Sequence, residues 1–190
     1  PQPPAAAPVP AEPAPPADDA LTDEEIAAIA VVEGLAEVAG RHPMTGANLD
    51  EYMAFYADDA VMLSLPAITR AATGKTAIRD YYLTHDAEDR AYWDIEVLHV
   101  DGPVVTTRAF GHGDFTGQLP SGGFEGLGVS VIRDGKIVED FSVPTPDSSA
   151  EMYEFIGPQD WGGPLSEIPA SFEAVGTATA PWVAEAPSAD

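Results

Sequence analysis

The chain has 190 residues, 45% of them hydrophobic, and sets 32 acidic against 8 basic residues for a net charge of −24. That length supports one domain with a real core and leaves little room for a second. The acidic excess argues against nucleic acid as a partner and against docking on anionic membranes, since both need clustered Lys and Arg, and it reads as solubility or adaptation to salt. There is no cysteine, so neither disulfides nor thiolate chemistry contribute. No apolar run approaches the roughly 20 residues that span a bilayer. The chain begins at Pro1, and a Pro/Ala-rich start fits a periplasmic or secreted protein after signal removal, with a cytoplasmic location as the alternative.

Residues 1–20 hold eight of the nineteen prolines interleaved with alanine, which builds no core and favours extended backbone. Thr22 and Glu25 read as a capping box for a helix carrying Ile26, Ile29, Val32 and Leu35 and stopping near Gly40. Asn48 and Glu51 read as a second box, opening a helix with Leu49, Tyr52, Met53, Phe55 and Tyr56. A strand from Val61 to Leu65 is closed by Pro66, and a loop from Ala67 to Thr73 leads to a helix from Lys75 to Thr84 with Ile78, Tyr81 and Tyr82. Asp58-Asp59 is expected to close the second helix at the surface.

Trp93 to Val100 and Val104 to Phe115 read as strands about a Gly102-Pro103 turn, followed by a loop from Gly117 to Gly123. Phe124 to Ile132 and Ile137 to Val143 form a hairpin on Arg133-Asp134-Gly135-Lys136. Ser148 and Glu151 cap a short helix ending at Gly157. From Pro158 onward Pro, Gly and Ala dominate, with Trp161, Leu165, Ile168, Phe172 and Trp182 expected to lie partly against the domain. The organisation is a tail over 1–20, one domain over 21–157 and an irregular extension over 158–190. Helices first and strands later predict an α+β fold, with N-terminal helices on one face of a curved antiparallel sheet and a cone-shaped small-molecule cavity between them.

The strand from Val104 to Phe115 concentrates chemistry by alternation. Arg108, Phe110, His112 and Asp114 share one face, and Thr107, Ala109, Gly111 and Gly113 share the other. The ATGKT run at Ala72 to Thr76 imitates the end of a phosphate-binding loop, but Thr69 stands where its first Gly belongs. Tyr81, Trp93 and Phe124 read as core aromatics, with Trp93 and Phe110 able to stack on an aromatic ligand.

Three blocks, FYADDAVMLSLP (Phe55 to Pro66), GKTAIRDYY (Gly74 to Tyr82) and VSVIRDGKIVEDFSV (Val129 to Val143), fall in the order and separation of the nuclear transport factor 2-like superfamily. The chain resembles its SnoaL-like branch over about residues 22–156. The base of the related ketosteroid isomerases falls at about Ser64, which cannot serve. Arg108 matches an inward-facing Arg of the limonene epoxide hydrolases, whose two Asp residues fall at Phe110 and about Ser142. The acid usual in SnoaL-like cyclases also falls near Ser142. The resemblance therefore aims Arg108, Phe110, His112 and Asp114 into the cavity, with Met62, Ser64, Asp140 and Ser142 approaching it.

On that reading His112 or Asp114 transfers protons, Arg108 holds an oxyanion, and Tyr52, Tyr56 and Tyr82 donate hydrogen bonds. Trp93 and Phe110 contact the ligand. His85 is assigned to a helix C-terminus, and His42 and His99 to the surface. His112 and Asp114 lack a third ligand, so neither metal nor cofactor is expected. The expected function is a cofactor-independent lyase, isomerase or cyclase acting on an apolar, aromatic small molecule. Deformylating lyases for lignin-derived diarylpropanes, within the superfamily, need a set of this kind. The alternative is a non-catalytic binding or assembly module, and in either case a homodimer or homotrimer is expected.

Overall fold

The computed structural model describes residues 20–41, 43–44, 46–64, 72–84, 86–87 and 89–156. The expectations for the N-terminal tail, His42, His85, the loop from 65 to 71 and the extension after α4 lie outside these residues. Four helices, α1 (Asp23–Arg41), α2 (Gly46–Met53), α3 (Lys75–Thr84) and α4 (Pro146–Ile156), accompany six strands. The strands are β1 (Tyr56–Ser64), β2 (Ala72–Thr73), β3 (Tyr92–Asp101), β4 (Val104–His112), β5 (Phe124–Arg133) and β6 (Lys136–Pro144). They form one sheet in the order β2-β1-β6-β5-β4-β3, antiparallel except for β1 against β6. The α+β expectation holds, with a mixed rather than purely antiparallel sheet. No described helix is long and apolar enough to cross a membrane.

The first capping box forms as expected. The Thr22 N–H donates to Glu25 Oε2 at 2.7 Å, and the Glu25 N–H donates to Thr22 Oγ1 at 3.2 Å. Helix α1 then buries Ala28, Val32, Leu35, Val38 and Ala39 on the sheet, whereas Ile26 is exposed. The other two boxes do not form. Helix α2 starts at Gly46, and Asn48 instead donates to the Pro43 carbonyl at 3.2 Å. At α4 the Ser148 hydroxyl accepts from the Glu125 N–H at 2.8 Å, and Glu151 accepts from Ser121. Both side chains serve tertiary contacts.

Strand β1 begins earlier than its apolar run suggests. Tyr56 already pairs with Ile137, so Tyr56 and Asp58-Asp59 belong to a strand and not to the second helix. The β5–β6 turn places Asp134 at φ 49° and Gly135 at φ 70°, the two left-handed residues of a type I′ hairpin. Strand β4 stops at His112, three residues short of expectation. The Asp89 carboxylate accepts from the Phe115 N–H and from Thr116 Oγ1 (2.8 Å), and the Asp89 carbonyl accepts from the Asp114 N–H at 2.7 Å. These bonds pull residues 113–116 out of the sheet.

The main core joins α1, α2 and α3 to the sheet through Leu35, Leu49, Met53, Ile78 and Ile137. Leu63, Val129, Val131 and Phe141 form a separate cluster on the opposite face. A Cβ at Gly113 would collide with the Asp89 carboxylate and carbonyl. Gly113→Ala is therefore expected to cost about 1–3 kcal/mol by overpacking, read as a lower denaturant midpoint with an unchanged slope.

Candidate active site

Helices α1, α2 and α3 cover one face of the sheet and leave a cavity of about 420 Å³, within the range of small-molecule sites. Strand registry determines which residues reach it. Thr107 pairs with Gly128, Ala109 with Gly126, and Ser130 with Asp140, and all six line the cavity. Small residues make the room, because large side chains at these positions would fill it.

This reverses the direction expected for β4. Arg108 is exposed on the other face and reaches Glu125 at 3.6 Å. His112 stacks on Tyr92 with ring centroids 4.8 Å apart, and its Nε2 lies 3.3 Å from Asp94 Oδ2. Phe110 packs edge-on against the same imidazole. Asp114 lies beyond the strand, 3.7 Å from Arg90. The physical reason is the period of two: a one-residue error in facing moves every side chain to the other side. The face that packs on helices keeps the small and apolar residues, and the charged set is hydrated.

The other expected positions fare better. Tyr52, Ser64, Tyr82, Trp93, Asp140 and Ser142 line the cavity. Met62 shares their face but is packed in the main core. Tyr56 sits behind the wall, joined to it by hydrogen bonds. Its hydroxyl donates to Asp140 Oδ2 at 2.5 Å and lies 3.2 Å from the Tyr82 hydroxyl, to which the Tyr52 hydroxyl donates at 3.3 Å. Ser130 Oγ donates to Asp140 Oδ1 at 3.0 Å. A second polar string runs alongside, in which Tyr81 and Ser142 each donate to Ser64 Oγ, at 3.3 and 2.9 Å. Tyr81 and Phe124, read as core aromatics, are also on the wall.

Asp86 was not anticipated. It lines the cavity at 8% exposure, and the Trp93 indole N–H donates to its carboxyl. Burial pushes its pKa up from 3.8 to about 7; the Trp93 hydrogen bond opposes this and the nearby Asp89 charge adds to it. A helical signal pointed here: the Asp86 N–H donates to the Tyr82 carbonyl, so Ile78, Tyr82 and Asp86 continue one face at intervals of four. Burial likewise raises the pKa of Asp140, against the lowering effect of its bonds from Tyr56 and Ser130. The surface that Asp140 retains faces the cavity. Desolvation holds Tyr52, Tyr56 and Tyr82 well above the usual phenol range, so all three are neutral donors and acceptors.

The arrangement offers two poles, a carboxyl that titrates near neutrality beside an indole, and a tyrosine cluster anchored on a second carboxyl. Among the described residues no group of three His, Cys, Asp or Glu side chains is placed to hold a metal ion.

The raised pKa of Asp86 has a defined consequence for stability. The folded state binds the proton more tightly than the unfolded state, so this contribution is complete below about pH 4 and is lost as pH rises to about 7. Between pH 4 and pH 8, chemical denaturation of Asp86→Asn is expected to shift relative to the parent by roughly 2–4 kcal/mol in favour of the variant.

Solved structures share this fold, and two of them illustrate it. One is an NTF-2-like protein of unknown function from Burkholderia xenovorans LB400, 12% identical, with a TM-score of 0.51 over 64% of this chain and 84% of its own. The other is a candidate SnoaL-like polyketide cyclase from Jannaschia sp. CCS1, 17% identical, with a TM-score of 0.53 over 74% of this chain and 99% of its own. No curated protein matches the chain. The model of the SnoaL-like domain matches residues 31–140, from within α1 to Asp140 on β6, and the chain belongs to that family.

Proposed function

We propose that the cavity is a cofactor-independent acid/base site of the isomerase or cyclase kind, acting on a neutral, largely apolar small molecule. The observation that carries this reading is Asp86. A carboxyl titrating near 7 on the wall of an apolar cavity is suited to accept and return a proton at ordinary pH. Tyr52 lines the same cavity, where its hydroxyl can meet an oxygen on which negative charge accumulates as Asp86 removes a proton from an adjacent carbon.

The charge of the substrate follows from the wall. Asp86, Asp89 and Asp140 line the cavity. Of the eight Lys and Arg, Arg70 lies outside the described residues and the other seven are not on the wall. An anionic substrate would meet repulsion that no described Lys or Arg compensates, which favours a substrate neutral at the reacting end. Trp93, Phe115 and Phe124 on the wall favour an aromatic body. A carbon–carbon lyase that deformylates a diarylpropane would use the same two poles.

The reading is tested without knowing the natural substrate. α-Tetralone in deuterated buffer should exchange its α-protons faster with the protein present, followed by NMR. Asp86→Asn should reduce that acceleration by about 100-fold or more, whereas His112→Ala and Arg108→Ala should leave it unchanged. Equal exchange by Asp86→Asn would remove Asp86 from the chemistry. Saturable binding of the ketone with no exchange would favour the non-catalytic binding module.

A further inference from the structure

The three tyrosines and Asp140 form a chain in which the direction of every proton is linked. A phenol has one proton to give. Tyr56 spends its proton on Asp140 Oδ2, so the bond between Tyr56 and Tyr82 must be donated by Tyr82, and Tyr52 in turn donates to Tyr82. With Asp140 ionised, all three protons point towards the carboxylate. Tyr52 and Tyr82, the two members on the cavity wall, then present lone pairs alone to a ligand.

Protonating Asp140 at Oδ2 lets the chain reverse, with Ser130 still donating to Oδ1. The carboxyl O–H donates to Tyr56, Tyr56 to Tyr82 and Tyr82 to Tyr52, which leaves the Tyr52 O–H to be donated into the cavity. One proton enters at Asp140 and one hydroxyl proton becomes available at Tyr52, with each oxygen between them still giving one bond. We propose that Asp140 is a positioning residue that sets, through Tyr56 and Tyr82, whether Tyr52 offers a ligand a hydrogen-bond acceptor or a donor. The cavity accordingly takes acceptor-only ligands, such as ketones, when Asp140 is protonated, and requires a donor, such as a phenol or alcohol, when it is ionised.

The surroundings of Asp140 favour such a switch. It faces Tyr56 from β1, Ser130 from β5, Tyr52 from α2, and Tyr81 and Tyr82 from α3, with Asp86 and Asp89 elsewhere on the cavity wall. No described Lys, Arg or His is on that wall to hold the carboxylate ionised. Burial raises the pKa of Asp140, which favours its protonated form relative to a solvated carboxyl. The inference rests on the cavity being the ligand site, and it identifies the protonated form of Asp140 as the form able to stabilise a developing oxyanion.

Calorimetric titration with acetophenone, an acceptor, and phenol, which both donates and accepts, tests this from pH 5 to pH 9. The Asp86→Asn background removes the carboxyl on the same wall that titrates near neutrality. Acetophenone affinity should fall about tenfold or more as pH rises, while phenol affinity changes little. Asp140→Asn, whose amide can donate to Tyr56 at every pH, should bind acetophenone without that fall. Tyr56→Phe should also flatten the pH response, because it cuts the link between Asp140 and Tyr82. A constant acetophenone-to-phenol ratio in the background protein, a persisting response in Tyr56→Phe, or failure of both ligands to bind would each overturn the proposal. A ratio that falls with pH in the background protein, together with no α-proton exchange by the parent, would sink the catalytic reading alone and leave this one standing.

Discussion

The parallel pairing of β1 with β6 is the constraint on which the site depends. Among the described strands it is the one parallel neighbour, and it sets Met62 beside Asp140 and Ser64 beside Ser142. Parallel strands cannot be joined by a tight turn, so the chain between them must travel. Here it travels through β2, α3, β3, β4 and β5, and α3 is laid over the face that β1 and β6 share. Tyr52 and Tyr82 then descend from α2 and α3 onto a carboxyl held from below by Tyr56 and Ser130. Without that pairing the tyrosines and Asp140, 84 residues from Tyr56 in the chain, would have no reason to meet.

The cavity is made by omission as much as by placement. Thr107, Ala109, Gly126 and Gly128 sit opposite one another on β4 and β5 and leave space where larger residues would interdigitate. Tyr52, Tyr82, Asp86 and Asp140, which face that space, are each hydrogen-bonded, which is the condition for tolerating them there. The two carboxyls resolve the cost of burial in different ways. Asp86 keeps a neutral form available near pH 7 beside Trp93, whereas Asp140 is surrounded by hydroxyl donors. Two acids in different environments can hold different protonation states at one pH, and that permits a base and a donor in the same cavity.

Much of the fold was legible locally. The Thr22–Glu25 box, the helix from Lys75, the turn at Asp134-Gly135 and the alternation along β4 are set by neighbours in the chain, so short windows carry them. The Asn48 and Ser148 boxes failed for the complementary reason. Each has the right residues at the right spacing, but tertiary partners, the Pro43 carbonyl and the Glu125 N–H, took the side chains instead. Asp140 and Ser142 reach the cavity wall from the side of the sheet that the family resemblance implied, and Tyr52 and Tyr82 reach it from α2 and α3. Asp86 was overlooked because a carboxylate after a helix is ordinarily a solvated turn residue, and only the packing of Trp93 and the tyrosines around it makes it otherwise.

The sequence by itself determined the helices, every strand but the short β2, which falls in an expected loop, their order, the family and the two faces of β4. Only the tertiary structure decided which of those faces is inside. Alternation of period two defines two sides without naming either, and the choice belongs to what packs on each. Helices cover the face that carries the small residues Thr107 and Ala109, while the charge of Arg108 and the edge of His112 stay where water and Glu125 or Asp94 can reach them. The chemistry therefore moved from one strand to a meeting of α2, α3, β1 and β6, a place that no single stretch of the chain describes.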